Sequence, residues 1–502
     1  MANISRRWFI GGAASAAILP PRLFAVSAST PLAGTPRVKI GVLSDIHLRD
    51  NKESSWLDFS RALAHFRDCG VDGVLIAGDI ADTGRVSELK RCAELWFKAF
   101  PDGKAPDGRK VEQLFVYGNH DIDGVRWNPK IDLTNPAVHA QYLGLGDNRK
   151  KAWEEAFHEE YRPIWLKTVK GYSFIGGHWS GYPEREAGDR DIEPFMNENA
   201  AKLDPKLPFF YTQHAHPKDT CFNKWAWGHD DGLSTRVFSR FPNAVTFTGH
   251  SHYTLTDERT IWQGTFTSIN TGSISYSSVD YSLRSNVDGN SSGYRRPKDF
   301  LPKTEPEIVT WNEHQGMVMT VTDEQIRLER KSFGPTVEPL GDDWVIPLPA
   351  AESRPFAYAS HAARRQAPEF PKDAVVKTEI VPADPKADKK CGVPGPYVKL
   401  TFPAAEDRGK CRVFEYEATA QLMEDDTDLV VCQRRSLAND FHRPVTKRIA
   451  EDRCRFALSE LPASSYVRFS VRPIKCFGKK GAPIFSSVMK TPDRAKPQEK
   501  KG

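Results

Sequence analysis

Five apolar runs in the first half of the chain each stop abruptly at side chains of the kind that hold metal ions. VKIGVLSD leads into Asp45-Ile46-His47, and VDGVLIAGD ends in Gly78-Asp79. VEQLFVYGNHD ends in Gly118-Asn119-His120-Asp121. PFFYTQHAH ends in His214-Ala215-His216, and AVTFTGHSH ends in Gly249-His250-Ser251-His252. Asn and Asp turn well and are ordinary at a single loop tip. A core has no use for an ordered set of seven ligand-type side chains at its strand ends. In sheets built from alternating strands and helices, ligands bind beyond the carboxyl ends of the strands. The five tips are therefore expected to converge.

Helical periodicity separates the first three runs. Trp56, Phe59, Leu63 and Phe66 keep helical spacing, with Ser54 or Ser55 as the cap and Gly70 as the stop. Val86, Leu89, Ala93 and Trp96 mark a second helix, stopped by Pro101. Strand-helix alternation predicts an α/β sheet with parallel pairs. Further on, TVKGYSFIGG (168–177) reads as a hairpin, and WQGTFTSINTGSISYSS and MVMTVTDEQIRLERKSF add strand-like alternation. The stretch 283–300 reads as a long polar loop.

Carboxylates, imidazoles and one amide, without thiolate, suit Mn, Fe or Zn better than Ca or Mg. The ordered pattern DxH, GD, GNHD, H and GHxH resembles the calcineurin-like metallophosphoesterases over roughly residues 36–335. That resemblance implies a two-sheet αββα sandwich and a binuclear metal centre. Asp45, His47 and His252 would hold one metal, Asn119, His214 and His250 the second, and Asp79 would bridge them. In TQHAHP the family's single histidine could be His214 or His216; His214 ends the apolar run directly, and His216 is then left for substrate. His120 is expected to face the phosphate, stabilising the transition state or protonating the leaving group, with Asp121 orienting it. Two metals about 3.5–4 Å apart would generate a bridging hydroxide that attacks phosphorus in line. Purple acid phosphatases carry a tyrosine three residues after the bridging aspartate; here that place is Asp82. AGDIADTG looks more like the phosphodiesterase branch. The loop WAWGHDDG (225–232) offers His229 as a further substrate contact, and Tyr276, Tyr281 and Arg284 are candidates for a phosphate or sugar. His178 reads as a core or rim histidine.

The ends read differently. Residues 1–28 resemble a twin-arginine export signal, with Ser5-Arg6-Arg7-Trp8-Phe9-Ile10 ahead of a short apolar stretch and small residues at Val26-Ser27-Ala28. The stretch is too short to span a bilayer, and no later segment approaches a span. The expected location is the periplasm or the extracellular space. Removing residues 1–28 takes away Arg6, Arg7 and Arg22 and no acid, so the formal charge falls from +5 to +2. That balance gives no reason to expect specific nucleic-acid binding. Of eight cysteines, Cys69, Cys92 and Cys221 precede the linker and the other five follow it. Both counts are odd, so either one bridge joins the two parts or each part keeps a thiol.

Residues 336–390 read as a Pro- and Ala-rich linker, 391–493 as an all-β sandwich, and 494–502 as a flexible basic tail. LSELPASSYVRFSVRPIKCFGKKGAP resembles the last third of a fibronectin type III domain, with Leu461-Pro462 and Tyr466 at a corner and Cys476-Phe477-Gly478 at the next turn. The sandwich carries no ligand cluster; a carbohydrate or protein partner is the expectation for it, and a chain ending near residue 345 is expected to keep activity. The expected activity is hydrolysis of a small-molecule phosphoester, with a diester favoured over a monoester. A binding module that keeps the fold without the chemistry is the alternative from another class.

Overall fold

A computed structural model describes residues 32–127, 130–182, 185–221, 230–277, 313–359, 366–383, 395–407, 411–424 and 427–493. The export signal, the polar loop 283–300, His229, Cys391 and the basic tail lie outside these residues.

Strand β1 (Val38–Leu43) is covered on both faces, and apart from Lys39 at its start it is apolar on both. Val38, Ile40 and Val42 enter one core and Leu43 another. Gly41 shares the side of Leu43, where a Cβ would come within 2.4 Å of the Phe66 ring. That ring belongs to α1 (Glu53–Asp68), whose Phe59, Ala62, Leu63 and Phe66 are buried at helical spacing. The helix starts one residue before the expected serine caps, with Lys52 in the cap position and no side-chain cap bond. β2 (Gly73–Ala77), α2 (Val86–Ala99) and β3 (Glu112–Val116) continue the alternation. The GNHD tip is not a strand end: it opens a short helix, α3 (Asn119–Asp123), followed by a 3-10 turn over Gly124–Trp127.

Next come α4 (Pro136–His139), α5 (Asn148–Phe157), and the hairpin of β4 (Ile164–Val169) and β5 (Tyr172–Gly177). After α6 (Ile192–Asn199), β6 (Phe209–Thr212), α7 (Leu233–Phe238) and β7 (Ala244–Thr248) follow. Then β8 (Ile261–Gln263), β9 (Thr267–Asn270), β10 (Gln315–Val321) and β11 (Gln325–Phe333) complete most of the two sheets.

The expected linker 336–390 is corrected. Its first part holds β12 (Val337–Pro339) and β13 (Trp344–Pro347), both antiparallel to β11. Leu340, Trp344, Ile346 and Phe356 from this stretch are buried in the inter-sheet core. Its last part holds β14 (Lys377–Val381), which pairs with β15 (Tyr397–Pro403) of the sandwich.

One sheet runs β12-β11-β10-β1-β2-β3, with β13 beside β11. The other runs β4-β5-β6-β7-β9-β8. Val42, Leu114, Phe174, Phe210, Phe247 and Met319 fill the space between them. Trp96 of α2 and Trp153 of α5 join α1 outside the first sheet, and Ile192, Met196, Val237 and Phe238 of α6 and α7 cover the second. The result is the αββα sandwich. Strands β1, β2 and β3 are mutually parallel, as are β5, β6, β7 and β9.

The C-terminal region is two antiparallel sheets. β14-β15-β18 (β18, Glu451–Ala457) faces β17-β16-β19-β20, with β21 also on β19. Here β16 is Val413–Glu424, β17 Thr427–Leu437, β19 Tyr466–Lys475, β20 Ile484–Phe485 and β21 Met489–Lys490. Phe402, Tyr416, Phe456 and Phe469 meet between them. Among the described residues no disulfide is formed; the Sγ atoms of Cys411 and Cys476 stand 3.6 Å apart.

The sandwich is seated on the αββα layers. Arg412, buried, donates to the carbonyls of Phe441 (2.9 Å) and Leu340. Gln315 Nε2 at the start of β10 donates to the carbonyl of His442 at 3.2 Å. Arg259 is wholly buried beneath the Phe414 ring, 4.7 Å from its centroid. Tyr358 donates to the Arg259 carbonyl, and Trp262 packs against the sandwich core. No helix among the described residues is long and apolar enough to cross a membrane.

Candidate metal centre

The carboxyl ends of β1, β2 and β3 meet those of β6 and β7 because their loops are bonded together. Asp45 N donates to the Gly78 carbonyl (3.0 Å), and Ile46 N and His47 N donate to that of Asp79 (2.8 and 3.0 Å). Gly249 N donates to the His214 carbonyl at 2.9 Å, joining the two tips of the second sheet. His250 N reaches across both sheets to Asp45 Oδ1 and Oδ2, at 3.1 and 3.0 Å. The glycines beside these residues leave room for them. A Cβ at Gly118 would stand 2.2 Å from Asp79 Oδ1, and one at Gly249 would stand 2.6 Å from Asp45 Oδ2.

Asp45, His47, Asp79 and His252 bring one ligand-type atom each to within 4.8 Å of one another, and so do Asp79, His214 and His250. In the first group His47 Nε2 and His252 Nε2 are 3.1 Å apart, and Asp45 Oδ1 is 3.1 Å from His252 Nε2. In the second, His250 Nδ1 is 3.2 Å from His214 Nε2 and 3.0 Å from Asn119 Oδ1. Asp79 Oδ2 faces both groups, 3.7 Å from His47 Nε2 and 3.1 Å from His214 Nε2. All seven residues expected as metal ligands are thus in one place. His214 is among them; His216 is wholly buried and in neither group.

Residues 38–254 match the family model of the calcineurin-like phosphoesterases. This part of the chain is a calcineurin-like phosphoesterase domain. No curated protein matches the chain. Among solved structures, a dimetal phosphatase from Danio rerio is similar at 12% identity, over 62% of this chain and 99% of that one, with a TM-score of 0.34. A purple acid phosphatase from yellow lupin seeds is similar at 12% identity, over 63% of this chain and 55% of that one, with a TM-score of 0.39. GAP50, the anchor in the inner membrane complex of Plasmodium, is similar at 11% identity, over 61% and 89%, with a TM-score of 0.34.

Within the phosphoesterase domain, bonds on the far side of each ring aim the histidines inward. His47 Nδ1 donates to Asp82 Oδ1 at 3.0 Å, and His252 Nδ1 donates to the Tyr276 carbonyl at 3.2 Å. His214 Nδ1 donates to the Ala77 carbonyl at 2.8 Å. A carbonyl can only accept, so His214 and His252 carry a proton on Nδ1 and turn Nε2 to the centre. This is the arrangement by which proteins fix metal-ligating imidazoles. The donor set and its aim fit two metal ions.

The charges agree. Burial raises Asp79, but His214, His120 and His47 together outweigh it and hold its carboxyl well below the usual range. Burial lowers His214, yet the Asp79 carboxylate overcomes this and takes it up to about 9. In the metal-free protein a proton therefore sits between the two, where a cation would replace it. Burial holds His47 below the usual imidazole range, so it is neutral near pH 7.

Backbone conformation marks the same residues. Asp45, His47, Asp79, His250 and His252 all have φ between 50 and 69°, in the left-handed region. Non-glycine residues held there are strained, and such strain gathers at functional sites.

His120 lies beside the groups without joining either. Its Nδ1 donates to the Asp82 carbonyl at 2.7 Å, and its ring meets that of His47 edge-on at 4.3 Å. The third cluster, His47-Asp82-His120, is this set of contacts on the outer side of His47.

The expected role of Asp121 is corrected. It does not orient His120. As the third residue of α3 it turns back to accept from the amides of Gly118 (2.7 Å), Ala81 (2.6 Å) and Ile80 (3.2 Å). Burial and the Asp79 carboxylate push it up to about 8. It ties the second tip to the third.

Asp82 is a site residue whose role the motif reading did not place, and Tyr276, a candidate for a phosphate or sugar, stands against His252. Asp82 holds His47 and also accepts from Arg49 Nε at 2.7 Å. Tyr276 packs its ring 4.3 Å from that of His252, and burial pushes its hydroxyl up to about 12, so it stays protonated. His178 is a core histidine, wholly buried, whose Nδ1 accepts from Tyr117 N at 3.0 Å.

Proposed function

We propose that the protein is an exported phosphoric ester hydrolase that works with two transition-metal ions, Mn, Fe or Zn. The observation that carries this reading is Asp79, whose one oxygen faces both histidine groups. Asp45, His47 and His252 would hold one ion and Asn119, His214 and His250 the other, with Asp79 between them. When bound, such a pair lowers the pKa of water and neutralises the charge on phosphate oxygens.

The chain's own residues set up the rest. Asn119 brings an oxygen without a charge, so the site stays positive enough to accept an anion. Asp82 and the Ala77 and Tyr276 carbonyls keep the imidazoles aimed. His120 has Nδ1 committed to the Asp82 carbonyl, so Nε2 would donate to the leaving oxygen or to the transition-state charge when the ring is the imidazolium, with both nitrogens protonated. The left-handed backbone at five ligand positions keeps the donors in place before substrate arrives.

A diester is favoured over a monoester because AGDIADTG looks more like the phosphodiesterase branch, and Asp82, in place of the iron-binding tyrosine of purple acid phosphatases, argues against their kind of iron site. Export rests on the Arg6-Arg7 signal and would place the enzyme in the periplasm or outside the cell. The strand order β14-β15-β18 against β17-β16-β19-β20 supports a fibronectin type III-like reading of the sandwich, with a carbohydrate or protein partner.

The deciding experiment loads the purified protein with Mn, Fe or Zn and assays nitrophenyl mono- and diesters. Metal-dependent turnover, stronger for the diester, is expected. Two metals bound without turnover of either ester would leave a binding module.

A further inference from the structure

Among the described residues up to 359, three large apolar side chains are strongly exposed: Leu57, Trp127 and Tyr182. Two of the three are aromatic: Trp127 belongs to the segment that carries His120, and Tyr182 lies in the loop after β5 that is bonded to that segment. Trp127 ends the 3-10 turn after α3, is 51% exposed, and lies edge-on to the His120 ring at 4.4 Å. Tyr182 is 71% exposed, and its backbone N–H donates to Asp123 Oδ1 at 3.0 Å. Asp123 Oδ2 accepts from Trp179 Nε1 at 2.6 Å, so one buried carboxylate of α3 holds the whole loop. Beside Tyr182 is a cavity of about 320 Å³, lined also by Trp179, Ser180, Gly181, Arg185, Asp189 and Arg190.

We propose that Trp127 and Tyr182 form a stacking platform for a flat, unsaturated ring on the phosphoester substrate, either a nucleobase or an aryl group. This rests on the phosphoesterase reading above. The chain of rings gives the reach: His120 touches His47 at 4.3 Å and Trp127 touches His120 at 4.4 Å, so a phosphate at the metal groups places its substituent near the indole. Leaving a tryptophan half in water has no benefit to the fold, whereas ring stacking on an exposed aromatic face is tolerant of ring type.

The test uses two matched pairs, each as the monoester and as its methyl diester. One is a purine nucleoside 5′-phosphate against ribose 5-phosphate; the other is phenyl phosphate against cyclohexyl phosphate. The readout is the ratio of kcat/KM, ring over no ring, in the metal-loaded protein and in Trp127→Ala and Tyr182→Ala. Calorimetric binding of the same compounds gives a second readout that needs no turnover. Removing one stacking partner is expected to lower the ratio by about 5- to 150-fold. The pair with the larger drop tells a nucleobase from an aryl group. An unchanged ratio and unchanged relative affinity in both variants overturns the platform; Trp127 would then serve only to hold His120. Absence of turnover with every compound, alongside ring-selective binding lost in Trp127→Ala, would overturn the hydrolase reading and keep the platform.

Discussion

His47 donates its Nδ1 proton to Asp82 across 3.0 Å, and this single bond decides which nitrogen of His47 faces Asp79 and His252. Asp82 is held ionised for the purpose. Burial raises it, but His47 and Arg49 outweigh burial and take it to about 2. Asp82→Ala should free the ring to rotate and to change tautomer. The expected outcome is a metal affinity lower by about 10–100-fold, read by competition with a chelator. Unchanged affinity would show that packing alone aims His47.

Asp79→Asn removes a charge that both groups share. We expect loss of at least one metal per chain by elemental analysis, and loss of turnover with it. A variant with two metals and normal activity would rule out the bridging role.

His120→Ala should keep both metals, because His120 belongs to neither inward-facing group. Its kcat is expected to fall by about 10²–10⁴. A smaller loss for esters with good leaving groups would identify proton donation; an equal loss would identify charge stabilisation. A metal deficit in this variant would sink the assignment, since it would make His120 a ligand.

A chain ending near residue 345 is expected to fail, contrary to what the Pro-rich composition of that region suggests. The cut removes Ile346 from the inter-sheet core and uncovers Trp262 and Arg259. Insolubility, or dye binding typical of exposed apolar surface, is the expected result. A soluble truncated protein with full activity would show that the seam is dispensable.

Stability should fall as pH rises from about 4.5 to 7. Burial raises Glu415 to about 7, although Arg435 opposes it, and burial with Asp440 raises Asp452 to about 7. Both acids lie in the sandwich and hold protons in the folded state that the unfolded chain has released. Their contribution is complete below the unfolded pKa and is lost as pH passes the folded value. Thermal unfolding of the metal-free protein at pH 5 and pH 7 should show the higher Tm at pH 5, with the gap narrowed in Glu415→Gln. The same gap in that variant would assign the effect elsewhere.

The seven inward-facing residues were legible because each follows an apolar run, and a strand end in a parallel sheet fixes where a side chain goes. Other features were hidden for physical reasons. Asp121 follows His120 in sequence, yet the rotation of about 100° per residue in α3 sends the two side chains to different partners. Asp82 looks like an ordinary turn residue until the loops after β1 and β2 are zipped together. Strands β12 and β13 span only three and four residues, too few for period-two alternation to show against prolines. They exist because β11 offers an edge to pair with.

Gln315 bonds to both parts of the chain. Its Nε2 grips the His442 carbonyl of the sandwich, and its Oε1 accepts from Leu255 N at 2.7 Å, three residues beyond His252. Gln315 thus links the sandwich to the segment that follows His252, alongside the seam made by Arg412 with Leu340 and Arg259 with Phe414.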